Sequence, residues 1–286
     1  MKTQTIGTEL DFTGLTRQAA AATVAKHFGT ISSMVNGYRY RVQDDAGRTW
    51  TIIGDGSVRT ENGGEACELV TPILGWNDIE TLQEIVRKLR KAGAKVNETC
   101  GLHVHIGAQG MTAKAIRNLV NNVASHEELL YKALAVHENR RRYCGSTSER
   151  FLRELNERKP ATLEELGRIW YNSETFPTYH YHESRYTVCN LHALFTKGTI
   201  EFRIFNASLH AGEVKTAIQL CCALVANAKA AKRTLYRPIE TDNERFAMRT
   251  WLTRPQGLNL NGAEFETLRH HLTKRLEGNA AWRHAV

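Results

Sequence analysis

The chain has 286 residues, 42% hydrophobic and 24% charged, with five prolines. That composition belongs to a folded globular protein and excludes a disordered or linker-rich one, and no apolar run approaches the roughly 20 residues of a membrane span. Thirty-eight Lys and Arg against 30 Asp and Glu give a net charge of +8, which suits anionic partners without choosing among nucleotides, nucleic acids and acidic polymers. The opening residues carry no secretory-signal apolar stretch. The six cysteines stand without CxxC spacing, so reduced thiols in a cytoplasmic protein are expected.

Along the chain, residues 3–11 read as a strand with partial polar–apolar alternation, followed by an Ala-rich helix over 15–27 that ends at Gly29. Residues 38–43 and 49–53 flank Asp44-Asp45-Ala46-Gly47, a hairpin signal. A third strand falls at 68–73. Asn77 or Asp78 then caps a helix to Lys91, with Ile79, Leu82, Ile85, Val86 and Leu89 on one face. A strand at 102–106 precedes a long helix from about Thr112, which is expected to end in the basic run Arg140-Arg141-Arg142-Tyr143. Residues 139–177 read as short helices and loops. Segments 185–194 and 199–205 are expected to pair as strands across Thr196-Lys197-Gly198, and helices follow at 211–232, 242–252 and 262–276. Strands joined by hairpins and interrupted by helices predict an α+β fold with a largely antiparallel, curved sheet packed with helices. No linker stands out, so residues 1–286 read as one domain, with its motifs in 6–206 and a helical C-terminal part over 211–286.

The polar residues inside these apolar strands share a spacing. Glu9 and Asp11 are two apart in Ile6-Gly7-Thr8-Glu9-Leu10-Asp11, so a strand turns both to one face. Two like charges there repel unless a cation lies between them, and oxygen ligands suit magnesium. His103 and His105 repeat the spacing opposite Leu102, Val104 and Ile106; Glu201 and Arg203 repeat it opposite Ile200, Phe202, Ile204 and Phe205. Glu68 stands alone among apolar residues in Cys67-Glu68-Leu69-Val70-Thr71-Pro72, some ten residues after the turn-like Gly54-Asp55-Gly56-Ser57. His180 and His182 share the spacing but follow Pro177 in an aromatic, loop-like segment and are set aside as ligands. Each signal alone is weak and compatible with a solvated strand face, and the recurrence on four strands is a much stronger pattern. No P-loop or dinucleotide fingerprint occurs.

Taken together, Gly7-Thr8-Glu9-Leu10-Asp11, Asp55-Gly56-Ser57, Glu68-Leu69-Val70-Thr71-Pro72, Gly101-Leu102-His103-Val104-His105, Arg185-Tyr186…Asn190-Leu191 and Gly198-Thr199-Ile200-Glu201-Phe202-Arg203 resemble the amidoligase family. That family belongs to the carboxylate–amine ligase superfamily of glutamine synthetase and glutamate–cysteine ligase. The resemblance runs over residues 6–206 and implies a glutamine synthetase-like catalytic domain that forms an amide bond from ATP, a carboxylate and an amine through an acyl phosphate. Its cofactors would be ATP and Mg2+ or Mn2+. By motif, Glu9, Asp11, Glu68, His103 and Glu201 would be metal ligands, with His103 and His105 exchangeable. His105, Arg203 and Arg185 would meet the nucleotide phosphates. Asp55, Ser57, Arg185 and Asn190 would face substrate, and Arg203 would act on the transferred phosphoryl group. Glu61 or Glu65 would take the proton released by the amine. The sequence departs from glutamine synthetase in carrying Asp11 for a second Glu, Glu61 and Glu68 seven apart rather than eight, and Asn97 shifted by one. Two or three metals therefore remain open.

Two other chemistries fit subsets of these residues. A metal-dependent hydrolase could use the His-x-His and carboxylate set around a zinc-bound water. A nucleic-acid-binding protein would rest on the +8 charge and Arg140–Arg142, but gives no reason for carboxylates beside the histidines. The acid and amine are expected to be a free amino acid, a peptide, a protein tail or a modified nucleobase, with no membrane involved.

Overall fold

A computed structural model describes residues 1–60 and 64–279. Eight strands form one antiparallel sheet among the described residues: β1 (Ile6–Phe12), β2 (Ser32–Val35), β3 (Arg39–Gln43), β4 (Thr49–Ile53), β5 (Cys67–Val70), β6 (Gly101–Gly107), β7 (Cys189–Asn190) and β8 (Thr199–Asn206). Their order is β2-β3-β4-β5-β1-β6-β8-β7, so the strands carrying the spaced polar residues lie side by side. Among the described residues ten α-helices accompany them: α1 (Arg17–Phe28), α2 (Ile79–Lys91), α3 (Ala113–Ala133), α4 (Glu138–Arg141), α5 (Glu149–Arg158), α6 (Leu163–Tyr171), α7 (His192–Lys197), α8 (Ala211–Ala230), α9 (Glu244–Thr253) and α10 (Glu266–Thr273). The fold is thus mixed, with an antiparallel sheet, as the hairpin-rich pattern requires. No helix among the described residues is long and apolar enough to cross a membrane.

The pleat decides which side of the sheet becomes core. Leu10 and Phe12 of β1, Trp50 and Ile52 of β4, Leu69 of β5, Leu102, Val104 and Ile106 of β6, and Ile200 and Phe202 of β8 are all buried. Each contributes about 1.5–3 kcal/mol by leaving water. Helix α1 packs against β2, β3 and β4, α8 against β6, and α2 against α1 and α8. These helices begin and end where local chemistry allows. Thr16 Oγ1 accepts from Ala19 N at the start of α1, and Gly29 closes it at φ 65. Thr112 Oγ1 accepts from Ala115 N at the start of α3.

Two sequence expectations fail here. The paired strands at 185–194 and 199–205 reduce to Cys189↔Phe202 and Asn190↔Glu201, because Arg185 lies in a 3-10 turn and His192–Lys197 is helical. Asn190 Oδ1 accepts from His192 N at 2.8 Å and starts that helix, and Gly198 ends it at φ 68. The basic run Arg140–Tyr143 does not end the long helix either. The chain leaves α3 at Leu134, takes a left-handed residue at Ala135 (φ 48) and forms the separate short helix α4. The strand β2 was not expected; it pairs with β3 through the Asn36-Gly37 turn, whose residues both have positive φ.

Candidate active site

The face of the sheet opposite the helices carries the polar pairs, and the strand register brings them together. Glu9 stands opposite His103, and Asp11 opposite Glu68; His105 stands opposite Glu201. Between Leu102↔Phe205 and Val104↔Phe202 strand β8 holds one residue more than β6. This bulge explains why Ile204 and Phe205 are both apolar although the strand alternates on either side.

The result is two adjacent clusters. Ligand atoms of Glu9, His103 and Glu201 all lie within 4.8 Å of one another, as do those of Asp11, Asp55 and Glu68. In the first, His103 Nδ1 is 3.3 Å from Glu9 Oε2 and 3.7 Å from Glu201 Oε1. His105 Nε2 is 3.4 Å from Glu9 Oε1 and 3.9 Å from Glu201 Oε1, buried and without a hydrogen-bond partner. Its other nitrogen meets Thr199 Oγ1 at 2.9 Å. Glu201 is held from below, where Asn190 Nδ2 donates at 2.6 Å and the Arg203 guanidinium pairs with Oε1. Burial alone would raise Glu201, but Arg203, His105 and His103 hold it at about 2. Glu9 is half-buried; desolvation would raise it, but the two imidazoles keep it well below the ordinary carboxylate range. Burial and the Arg203 charge push His103 down to about 4, so it is neutral and able to ligate.

The second cluster has the opposite electrostatics. Burial, then the Asp55 charge, pushes Asp11 up to about 7. Burial and the charges of Glu9, Asp11 and Asp55 push Glu68 up to about 9. Asp11 Oδ2 accepts from Gly101 N at 2.9 Å, and Asp55 Oδ1 from Ser57 N at 2.6 Å. No basic side chain forms an ion pair with these three carboxylates among the described residues. Mutual repulsion of this kind is what a divalent cation relieves, and oxygen-rich sets suit hard cations. The orphaned His105 Nε2 and the unpaired carboxylates therefore fit divalent ions.

Both clusters open on a cavity of about 370 Å³ whose other side is basic and aromatic. Arg140, Tyr143, His180, Tyr181, Arg185, Tyr186 and Arg203 line that side. All but Arg203, which stands on β8, come from outside the strands. Glu127 of α3 accepts from Thr147 N at 3.1 Å, and Gly145 N donates to Tyr186 O at 3.0 Å, fastening residues 140–147 and 185–188 over the sheet. Arg140 is 3% exposed, its Nε lacks a partner, and NH2 reaches only the Arg203 carbonyl at 3.4 Å. Gly101 makes the room: a Cβ there would stand 2.4 Å from Arg140 NH1. Arg185 donates to His180 O at 3.2 Å and lies over the rings of Tyr181 and Tyr186. Two buried guanidiniums that form no ion pair with a carboxylate among the described residues give this side the chemistry to receive an anion.

The structure thus gathers Glu9, Asp11, Glu68, His103, Arg185 and Arg203 around one cavity, with Glu201 and His105 just behind. Ser57 lines it, and Asp55, read from sequence as a substrate contact, stands in the second carboxylate cluster. Asn190 is buried beneath Glu201 and does not line the cavity. Glu65 is not brought in: its carboxylate takes Arg17 N at 2.8 Å and Arg17 Nε at 2.9 Å at the start of α1. Glu61 lies outside the described residues. Asn97 is a loop brace, accepting from Thr99 N at 2.9 Å and donating to Arg59 O at 2.9 Å. Sequence reasoning missed Lys197, whose Nζ is 3.4 Å from Glu9 Oε1, and the lining roles of His180 and Tyr186. The Gly198 that closes α7 was the available signal for Lys197.

A family model described as "Putative amidoligase enzyme" matches residues 2–225. The match covers most of the chain and every residue of both clusters, and its description points to a ligase-type enzyme. No curated protein matches the chain.

Proposed function

Since the chain belongs to that amidoligase family, we propose that it joins a carboxylate to an amine at the expense of ATP, by way of an acyl phosphate, on a sheet of the glutamine synthetase kind. What supports this reading is one juxtaposition: two carboxylate-rich clusters facing, across a single cavity, two buried guanidiniums that pair with no carboxylate among the described residues. Glu9, His103 and Glu201 would hold one divalent ion, and Asp11, Asp55 and Glu68 a second. Magnesium suits the oxygens, and the imidazole tolerates manganese. Bound there, such ions would screen the charge of the ATP phosphates.

The residues then divide the work. A substrate carboxylate oxygen forms a bond to the γ-phosphorus while the bond to the bridging oxygen of ADP breaks. Arg140 and Arg185 meet the γ-oxygens or the incoming carboxylate, and each preorganised donor of this kind contributes about 3–4 kcal/mol. Arg203 is held by Glu201 and by the Tyr143 carbonyl at 3.2 Å, which fixes its guanidinium for the same oxygens. The amine nitrogen next attacks the carbonyl carbon, inorganic phosphate leaves, and a carboxylate takes the amine proton. Glu61 is the proposed acceptor. Glu65 is committed to Arg17, so that role falls away from it.

Calorimetric titration of ATP tests the reading. Binding is expected only with magnesium or manganese, and Glu9→Gln should weaken it at least tenfold. A folded protein that ignores ATP under all three conditions overturns the proposal, and retained zinc in that case would move the site to hydrolysis.

A further inference from the structure

The metal-facing side of the sheet does not stop at the cavity. Opposed residues of antiparallel neighbours share a face, and the register gives His103–Glu9–Val70–Thr51–Arg41–Ser33 as one continuous row across β6, β1, β5, β4, β3 and β2. Arg39 lies on the same face, opposite Val35. Helix α1 covers the other side of β2–β4, and here Ser33, Arg41, Gln43 and Thr49 are exposed. Val70 and Ile53 line the cavity, so the row leads out of it.

Along this exit the charge is one-sided. Arg39 and Arg41 have no ion-pair partner among the described residues, and Arg39 Nε is buried without a hydrogen bond. The rest of that face on β2–β4 is Ser33, Val35, Gln43, Thr49, Thr51 and Ile53, with neither a carboxylate nor an aromatic ring. Single-stranded nucleic acids are held largely by stacking on aromatic side chains, and this face offers none. Narrow polar and β-branched residues with two guanidiniums at the far end suit an extended acidic peptide.

We infer that the carboxylate substrate is the end of an acidic peptide, laid across the strands from the metal clusters to Arg39 and Arg41. The inference rests on the ligase reading and adds its substrate class. From β1 to β3 is three strand spacings, about 14 Å, which four to five extended residues span. The acidic residues recognised by Arg39 and Arg41 therefore stand four to five residues from the reacting carboxyl.

Fluorescence anisotropy with labelled ten-residue probes decides this, in magnesium at low salt. One Gly/Ser peptide carries two Asp four and five residues before its free C-terminal carboxylate; another carries them next to it; a third probe is a ten-nucleotide oligothymidylate. The first peptide should bind tightest. Arg39→Gln/Arg41→Gln should weaken it about tenfold, the sum of two exposed ion pairs, and leave the second peptide and metal-dependent ATP binding unchanged. Equal binding of the two peptides, or indifference to the double variant, refutes the inference while leaving the ATP result standing. Tighter binding of the oligonucleotide that depends on the same arginines assigns the face to nucleic acid instead, and loss of ATP binding assigns it to the nucleotide.

Discussion

Between about pH 7 and 8 the protein without divalent ions should lose stability as pH rises, and magnesium or manganese should abolish that slope. The perturbation is deprotonation of Glu68, which burial and the neighbouring Glu9, Asp11 and Asp55 charges push up to about 9, with Asp11 at about 7 contributing to the lower part of the range. A carboxyl whose folded pKa exceeds its unfolded value binds more protons folded than unfolded, so its contribution is lost as pH climbs from the unfolded value through the folded one. His103, pushed down to about 4 by burial and Arg203, acts in the opposite sense, stabilising as pH rises, but that gain is complete near pH 7. Buried thiols such as Cys67, raised to about 12 by burial, begin to oppose folding only as the unfolded thiols ionise above about pH 8. In the window between, the slope is on the order of 1 kcal/mol per pH unit for each extra proton held. An ion at a hundred times its Kd adds about 3 kcal/mol, roughly 5 °C in melting temperature for a chain of this size. Scanning calorimetry in chelator, magnesium and manganese across that window reads both effects, and Glu68→Gln should flatten the chelator series. Melting that neither falls with pH in chelator nor moves with either ion would refute the assignment of these carboxylates to a cation site.

Two further substitutions separate positioning from packing. Gly101→Ala places a Cβ 2.4 Å from Arg140 NH1, so the guanidinium must move by about 1 Å, a misplacement that costs on the order of a hundredfold in turnover; the fold should lose only about 1–3 kcal/mol. ADP release together with thermal melting checks this, and wild-type turnover in Gly101→Ala would remove Arg140 from the reaction. Glu65→Gln should cost less than about 1 kcal/mol, because its pair with Arg17 is part-exposed. Metal-dependent ATP binding should be unchanged in it, and a loss there would return Glu65 to the site.

The clustering of Glu9, Asp11, His103, His105, Glu201 and Arg203 on one face was legible because a strand repeats every two residues, and an i, i+2 pair in an apolar strand has one possible geometry. Helix α2 was legible for the same kind of reason, its apolar residues recurring at helical spacing and lying buried in the structure. The short strand at Cys189–Asn190 was not. Its segment has β-forming residues, but Asn190 uses its side chain to start a helix and to hold Glu201, and those bonds outweigh the local preference. Glu65 misled for a related reason, since proximity in sequence to Glu68 says nothing about which neighbour an alternating strand leaves behind.

What the sequence determined by itself is therefore the set of residues that share a face, because backbone periodicity is local. Which strands lie side by side, that Glu9 meets His103 while Asp11 meets Glu68, and that Arg140 arrives from a helix beyond α3 into the space over Gly101 were decided only by tertiary structure. Those are contacts between segments tens of residues apart. They are fixed by burying the opposite face of the sheet against α1 and α8, and no local pattern records them.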